Sequence, residues 1–359
     1  MTDPLDLIKP QVRAMKAYTL KPYQYQYRMN QNENPLGFPA ELKEKVWERL
    51  READWARYPD FNLVEVTESV AQYAGVRPSQ VLVGNGSNEM IYNAMAVTLG
   101  AGDHIVIPVP TFSVYKLIAT VMGATVHEPR MVAAQGFALP TDEVIETARA
   151  HGAKMVVICT PNNPTAQSYP MDEVRRVCAE SGAIVLIDEA YQEFSSQNLL
   201  PLVEEFPNVV LLRTFSKALA LGGLRVGYAI TNEALATEIH KGKLPYALNA
   251  FSAAAVVVAL EHRSAFDEEI ALIKAERERL FAALEALPIA RPVPSDANFI
   301  LTHFEGFTPQ QVFDSLLERG ILIRDVSSYP ELGEYLRISV GAPHENDALI
   351  GALQDLVVE

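Results

Sequence analysis

Cysteine is scarce in this chain, with only Cys159 and Cys178 among 359 residues. Two cysteines cannot build a disulfide framework, and no Cys-x-x-Cys pair or Cys/His run suggests zinc, so no metal is expected. Basic charge is also short: 30 Lys and Arg stand against 45 Asp and Glu, a net charge of −15. That acidity repels phosphate backbones and anionic lipid, so neither nucleic acid nor a membrane surface is an expected partner. Long apolar runs are missing as well. The longest, Ala250 to Leu260, is broken by Ser252 and stopped by Glu261, far short of the roughly 20 residues of a spanning helix. Residues 1–30 carry Asp3, Asp6, Lys9 and Arg13 and no apolar segment of the secretory kind. The expectation is a soluble, cytoplasmic protein without internal repeats.

What is present is an ordinary globular composition, with enough length for about two domains. From residue 81 onward, short β-branched runs alternate with helical stretches. Val81–Val83, Ile105–Ile107, Met155–Ile158, Ile184–Ile187, Val209–Leu212 and Val226–Ile230 read as strands. Helices are expected over Glu89–Leu99, Ser113–Met122 and Asp172–Glu180. Continuous apolar strands spaced by helices predict an α/β domain with a mostly parallel sheet sandwiched by helices. After Pro245 a long helical region, Ser252–Leu287, leads into strands at Asn298–Thr302, Ile321–Arg324 and Tyr335–Val340, with helices at Thr308–Glu318 and Glu345–Val358. This predicts a smaller α+β domain made of 1–30 and 246–359, beside a large domain of 31–245. The alternation Tyr23-Gln24-Tyr25-Gln26-Tyr27 suits a short extended segment. The first 30 residues are too few to fold alone, so they are expected to pack on the smaller domain or on a partner subunit.

Ligands of an open parallel sheet bind beyond the carboxyl ends of its strands, and four strand ends here carry polar motifs. Gly84-Asn85-Gly86-Ser87-Asn88 opens a helix, where free amides and the helix dipole favour a phosphate. Thr160-Pro161-Asn162-Asn163-Pro164-Thr165 is a rigid turn that aims an asparagine amide. Asp188-Glu189-Ala190-Tyr191 sets a carboxylate beside a phenol. Arg213-Thr214-Phe215-Ser216-Lys217 is followed by Arg225, before the next strand. Singly, each has a bland explanation: a cap, a core aromatic, a surface lysine. Their succession is what points to a site.

Asn163-Pro164-Thr165, Asp188 to Tyr191, Ser216-Lys217 and Arg225 resemble the signature of fold-type I pyridoxal-phosphate aminotransferases. Asn32-Glu33-Asn34-Pro35, Arg57-Tyr58-Pro59, Leu224 to Gly227, Arg324-Asp325 and Leu336 to Ser339 narrow the resemblance to histidinol-phosphate aminotransferases. The resemblance implies a seven-stranded-type sheet and pyridoxal 5'-phosphate on Lys217, which forms the Schiff base and moves the substrate proton. Asp188 then pairs with the pyridine nitrogen, keeping the ring an electron sink. Asn163 and Tyr191 bond the ring phenolate, and Phe112 stacks where the family usually has Tyr. Ser87, Asn88, Thr214, Ser216 and Arg225 hold the cofactor phosphate. Tyr58 reaches it from the other subunit, so the resemblance also implies a homodimer with shared active sites. Ala166 stands where glycine is usual, so a left-handed backbone is not expected there.

For the substrate, the resemblance assigns Arg337 to the carboxylate or phosphate, Arg324 as a second cation, and Tyr23 and Tyr246 near the phosphate. The implied reaction interconverts L-histidinol phosphate plus 2-oxoglutarate with imidazole-acetol phosphate plus L-glutamate. The partners are thus a small amine and a 2-oxo acid. An aromatic amino-acid aminotransferase and a threonine-phosphate decarboxylase share the cofactor residues and remain alternatives. The effector module of a transcription regulator would need a DNA-binding domain that the first 30 residues cannot form.

Overall fold

The computed structural model describes residues 3–17 and 21–358. The chain opens with a short helix α1 (Pro10–Arg13) and a strand β1 (Tyr27–Arg28). Helices α2 (Ala40–Leu50) and α3 (Val64–Ala74) precede strand β2 (Val81–Gly84), α4 (Ser87–Thr98), β3 (His104–Val106) and α5 (Val114–Met122). Next come β4 (Thr125–His127), α6 (Thr141–His151), β5 (Met155–Cys159), α7 (Met171–Glu180) and β6 (Ile184–Asp188). They are followed by α8 (Pro201–Glu205), β7 (Val209–Thr214), β8 (Gly227–Thr231) and α9 (Glu233–Lys241).

The main sheet has seven strands in the order β2-β8-β7-β6-β5-β3-β4. Its pairings are parallel except those of β8, which runs antiparallel to β2 and β7. The expected α/β sandwich is therefore observed. Successive strand residues point to opposite faces, and both faces are buried. Val156 and Ile158 of β5 join the core under α6 and α7, while Met155, Val157 and Cys159 join the core under α4 and α5. That double burial makes these strands read as unbroken apolar runs. The edge strand β4 lacks that signature, because Thr125 is exposed and Val126 and His127 are half-buried.

Beyond residue 245 lie α10 (Ala250–Glu261), α11 (Asp267–Ala286), β9 (Ala290–Pro292), β10 (Phe299–Phe304), α12 (Pro309–Glu318), β11 (Ile321–Leu322), β12 (Arg324–Asp325), β13 (Tyr335–Ser339) and α13 (Pro343–Val358). A four-stranded sheet, β12-β13-β10-β9, packs with α12 and α13 around its own core. The expected single helical region splits in two at His262, and a short turn there carries Phe266 into the core. Helix α10 is apolar on every side because it is buried between α2, α3 and the sheet core.

The N-terminal segment departs from expectation. β1 does pair with β11, in a separate two-stranded sheet beside the smaller domain, but α1 lies on α5 of the larger one, with Lys9 Nζ donating to the Val121 carbonyl at 2.9 Å. A proline-opened turn of four residues has no apolar face of its own, so only tertiary contact fixes its place.

Candidate active site

The polar strand ends converge on one cavity. Ser87, Asn88, Phe112, Asn163, Asp188, Tyr191, Thr214, Ser216, Lys217, Arg225, Arg324 and Arg337 all line it. The sheet produces this arrangement directly: β2, β5, β6 and β7 end on the same edge, and antiparallel β8 begins there, just after Arg225.

At one end lies an anion cup. Ser87 and Asn88 begin α4, and the first amides of a helix have no intrahelical partner. The Ser216 hydroxyl accepts from Arg225 Nη1 at 3.3 Å and lies 3.0 Å from Thr214 Oγ1. Arg225 holds a left-handed backbone, φ 56°, the kind of local strain that sites retain when the surroundings enforce it. Two glycines make room for the cup. A Cβ at Gly86 would come within 2.8 Å of the Arg225 guanidinium, and one at Gly227 would collide with the Ser87 amide.

Lys217 lies deeper, its Nζ donating to the Gln31 carbonyl at 2.9 Å. Burial, reinforced by the Arg337 charge, lowers its pKa to about 7, so near neutral pH much of it is free amine. Tyr191 Oη accepts from Asn163 Nδ2 at 3.2 Å and from Asn32 Nδ2 at 3.1 Å. Arg337 Nη1 donates to Asn163 Oδ1 at 2.6 Å and Nη2 to the Asn30 carbonyl at 2.7 Å. Asn162, by contrast, spends its amide on Thr111, Pro110 and Thr165 and holds the turn together.

Asp188 is only 3% exposed. It accepts from Tyr115 Oη at 2.6 Å and from the Ala190 amide at 3.0 Å, and no cation of the described residues pairs with it. Burial accordingly raises its pKa. The neighbouring Glu189 is spoken for: it takes two bonds from Arg213, at 2.8 and 3.0 Å, and one from the Leu199 amide. A buried carboxylate lacking a cation, an amine in the same cavity and an anion cup fit pyridoxal phosphate, whose ring nitrogen, aldehyde and phosphate ask for these groups.

Three expected residues, Tyr23, Tyr58 and Tyr246, fall outside this cavity. Phe112 lines the cavity edge-on to Tyr115, with centroids 5.6 Å apart. Tyr23 stands in an adjoining cavity that shares Arg324, Asn30 and Gln31 with the first. Tyr58 and Tyr246 line neither; they stack on one another at 4.5 Å, with Tyr58 79% exposed. Ala166 corrects the expectation made for it. Its φ is 72°, because its amide closes a turn to the Asn162 carbonyl while its own carbonyl takes the Asp296 amide. Tyr115, Asn30 and Asn32 carry no role in the sequence reading, since their partners are far away in the chain.

The model of the family described as aminotransferase class I and II matches residues 25–353. The chain belongs to this family. A histidinol-phosphate aminotransferase of Chlorobium luteolum is 40% identical over 96% of each chain. Among solved structures, a histidinol-phosphate aminotransferase of Sinorhizobium meliloti in complex with pyridoxal-5'-phosphate has a TM-score of 0.87, at 22% identity over 98% and 97% of the two chains. The L-threonine-O-3-phosphate decarboxylase of Porphyromonas gingivalis has a TM-score of 0.80, at 23% identity over 93% and 100%. At those identities the two structures speak for the fold alone, and it is the aminotransferase fold. As a member of the aminotransferase family this is a pyridoxal-phosphate enzyme. No helix among the described residues is long and apolar enough to cross a membrane.

Proposed function

We propose that the protein is a histidinol-phosphate aminotransferase of histidine biosynthesis, exchanging the amino group between L-histidinol phosphate and 2-oxoglutarate. One observation carries the substrate assignment. Arg324 and Arg337 sit directly opposite each other on β12 and β13, and both line the cavity. Like charges placed across a strand pair repel, and a dianion between them turns that repulsion into bidentate attraction.

When bound, pyridoxal phosphate supplies an electron sink for the bond broken at the substrate carbon. The chain's own residues do the rest. Ser87, Asn88, Thr214, Ser216 and Arg225 would hold the phosphate, and Asp188 would keep a proton on the ring nitrogen. Asn163 and Tyr191 would bond the ring oxygen. Lys217 Nζ, its pKa lowered toward neutrality by burial, would accept the substrate proton and return it one atom away. Phe112 would cover one ring face. Arg337 serves the glutamate carboxylate as well as the phosphate, and Tyr23 would flank the phosphate beside Arg324.

The active form is proposed to be a cytoplasmic homodimer. Tyr58, Phe61 and Tyr246 form an exposed aromatic cluster, with Trp55 82% exposed nearby in sequence. Such a patch marks an interaction surface. A second copy seated there would carry Tyr58 to the neighbouring cofactor phosphate, with Tyr246 beside the substrate phosphate. The division into 31–245 and 1–30 plus 246–359 is likewise proposed, with α10 packed on α2 and α3 of the larger part and α11 spanning both cores, Ile270 and Ile273 in one and Leu280 and Leu284 in the other.

The test is a half-reaction screen of the cofactor-loaded enzyme against histidinol phosphate, phenylalanine and threonine phosphate, following cofactor absorbance and released CO₂. Histidinol phosphate should be converted fastest, without CO₂. A preference for phenylalanine would overturn the substrate assignment.

A further inference from the structure

Three histidines from separate parts of the chain meet at the outer edge of the large sheet, away from the cofactor cavity. His104 opens β3, His127 closes β4 and His151 closes α6. Their ligating nitrogens all lie within 4.8 Å of one another. His104 Nδ1 is 2.9 Å from His127 Nε2, and the His127 and His151 rings stack with centroids 3.9 Å apart. None of the three lines the cavity described above.

We propose that His104, His127 and His151 form a binding site for a divalent transition-metal ion of the zinc type. Three imidazoles on tetrahedral zinc, with bonds of about 2.0–2.1 Å, place their nitrogens roughly 3.3 Å apart. The three ligating nitrogens, all within 4.8 Å of one another, already lie close to that spacing. Imidazole is a donor suited to zinc, nickel and copper. Nearby carboxylates do not compete for the ion. Asp103 is held by Lys154 at 2.9 Å and by the Gly100 amide, and Glu128 by Lys116 at 2.8 Å. His151 stands in the last turn of α6, where the helix dipole is negative. Because His151 is exposed, water would fill the fourth position. Occupied, the site would tie the edge strand β4 to β3 and α6.

The test uses untagged, cofactor-loaded full-length protein. Equilibrium dialysis against zinc chloride with metal analysis should give one zinc per chain, and zinc should raise the melting temperature by linkage. His151→Ala, at an exposed helix end, should leave the metal-free melting temperature unchanged. It should weaken binding by more than the roughly 10- to 100-fold that loss of an outer-shell partner costs. His127→Ala should behave alike; should it fail to fold, His151→Ala decides. No bound zinc in the wild type, or equal zinc in wild type and His151→Ala, overturns the proposal.

Discussion

Replacing Asp188 by asparagine should have opposite effects on the cofactor-free and the cofactor-loaded protein. Without cofactor, the carboxylate is buried against a phenol and an amide with no counter-charge. Burial raises its pKa in the folded state. A group raised on folding contributes its stability at low pH and loses it as pH climbs through the folded value, so at neutral pH the ionised Asp188 is a liability. Asparagine keeps the shape: Oδ1 can accept from the Ala190 amide, and Nδ2 can donate to Tyr115 once its hydroxyl rotates. Removing an uncompensated buried charge should therefore stabilise the cofactor-free protein by about 1–3 kcal/mol at neutral pH. The gain should vanish at acid pH, where the wild-type carboxyl is itself neutral. With cofactor the balance reverses, because the charge-assisted bond to the ring nitrogen is lost. At about 1.5–3 kcal/mol that weakens cofactor binding by roughly 10- to 150-fold. Turnover should fall by several orders of magnitude as the ring loses its proton. Thermal melts of both forms across pH, a cofactor titration and a turnover assay measure the three effects. Asp188→Asn protein that is less stable without cofactor, or binds cofactor normally, would refute the pairing.

Arg324→Ala should weaken histidinol-phosphate conversion by one to a few orders of magnitude while sparing glutamate, whereas Arg337→Ala should harm both, as half-reaction constants will reveal. Lys217→Ala chains are expected to be inactive alone and to regain part of the activity when mixed with Tyr58→Ala chains, because one hybrid site then has both native residues. No recovery despite verified subunit exchange would remove Tyr58 from the shared site. Arg213→Met strands the buried Glu189 charge and should cost about 3–5 kcal/mol in denaturant unfolding; adding Glu189→Leu should restore much of the loss. Ala166→Gly trades relief of a left-handed backbone against a buried methyl and unfolded-chain entropy, so its stability should change by less than about 1 kcal/mol.

Much of the candidate site was legible in the chain because each strand delivers its polar residues to the shared cavity within a few residues of its own end. The run Ile184–Ile187 announces a strand by being apolar throughout, and Asp188 follows at its mouth whatever the rest of the molecule does. The same holds for Asn163, Lys217 and Arg225, each anchored to a local signal of turn or strand. Local sequence likewise determined the layered α/β class, because strands covered on both faces cannot alternate. Tertiary structure alone decided the rest. Tyr115 becomes the partner of Asp188 only when folding brings α5 to the end of β6 across 73 positions of chain, and Asn32 reaches Tyr191 across 159. Ala166 shows the limit of residue-type reasoning: hydrogen bonds on both sides of its peptide impose a conformation that alanine does not prefer. The three histidines make the same point for a whole site. Metal spacing is readable when ligands share a loop or a helix face, whereas His104, His127 and His151 come from two strands and a helix end. They meet because β4 pairs beside β3 and α6 folds back over that edge, an arrangement written in long-range packing rather than in any short stretch of sequence.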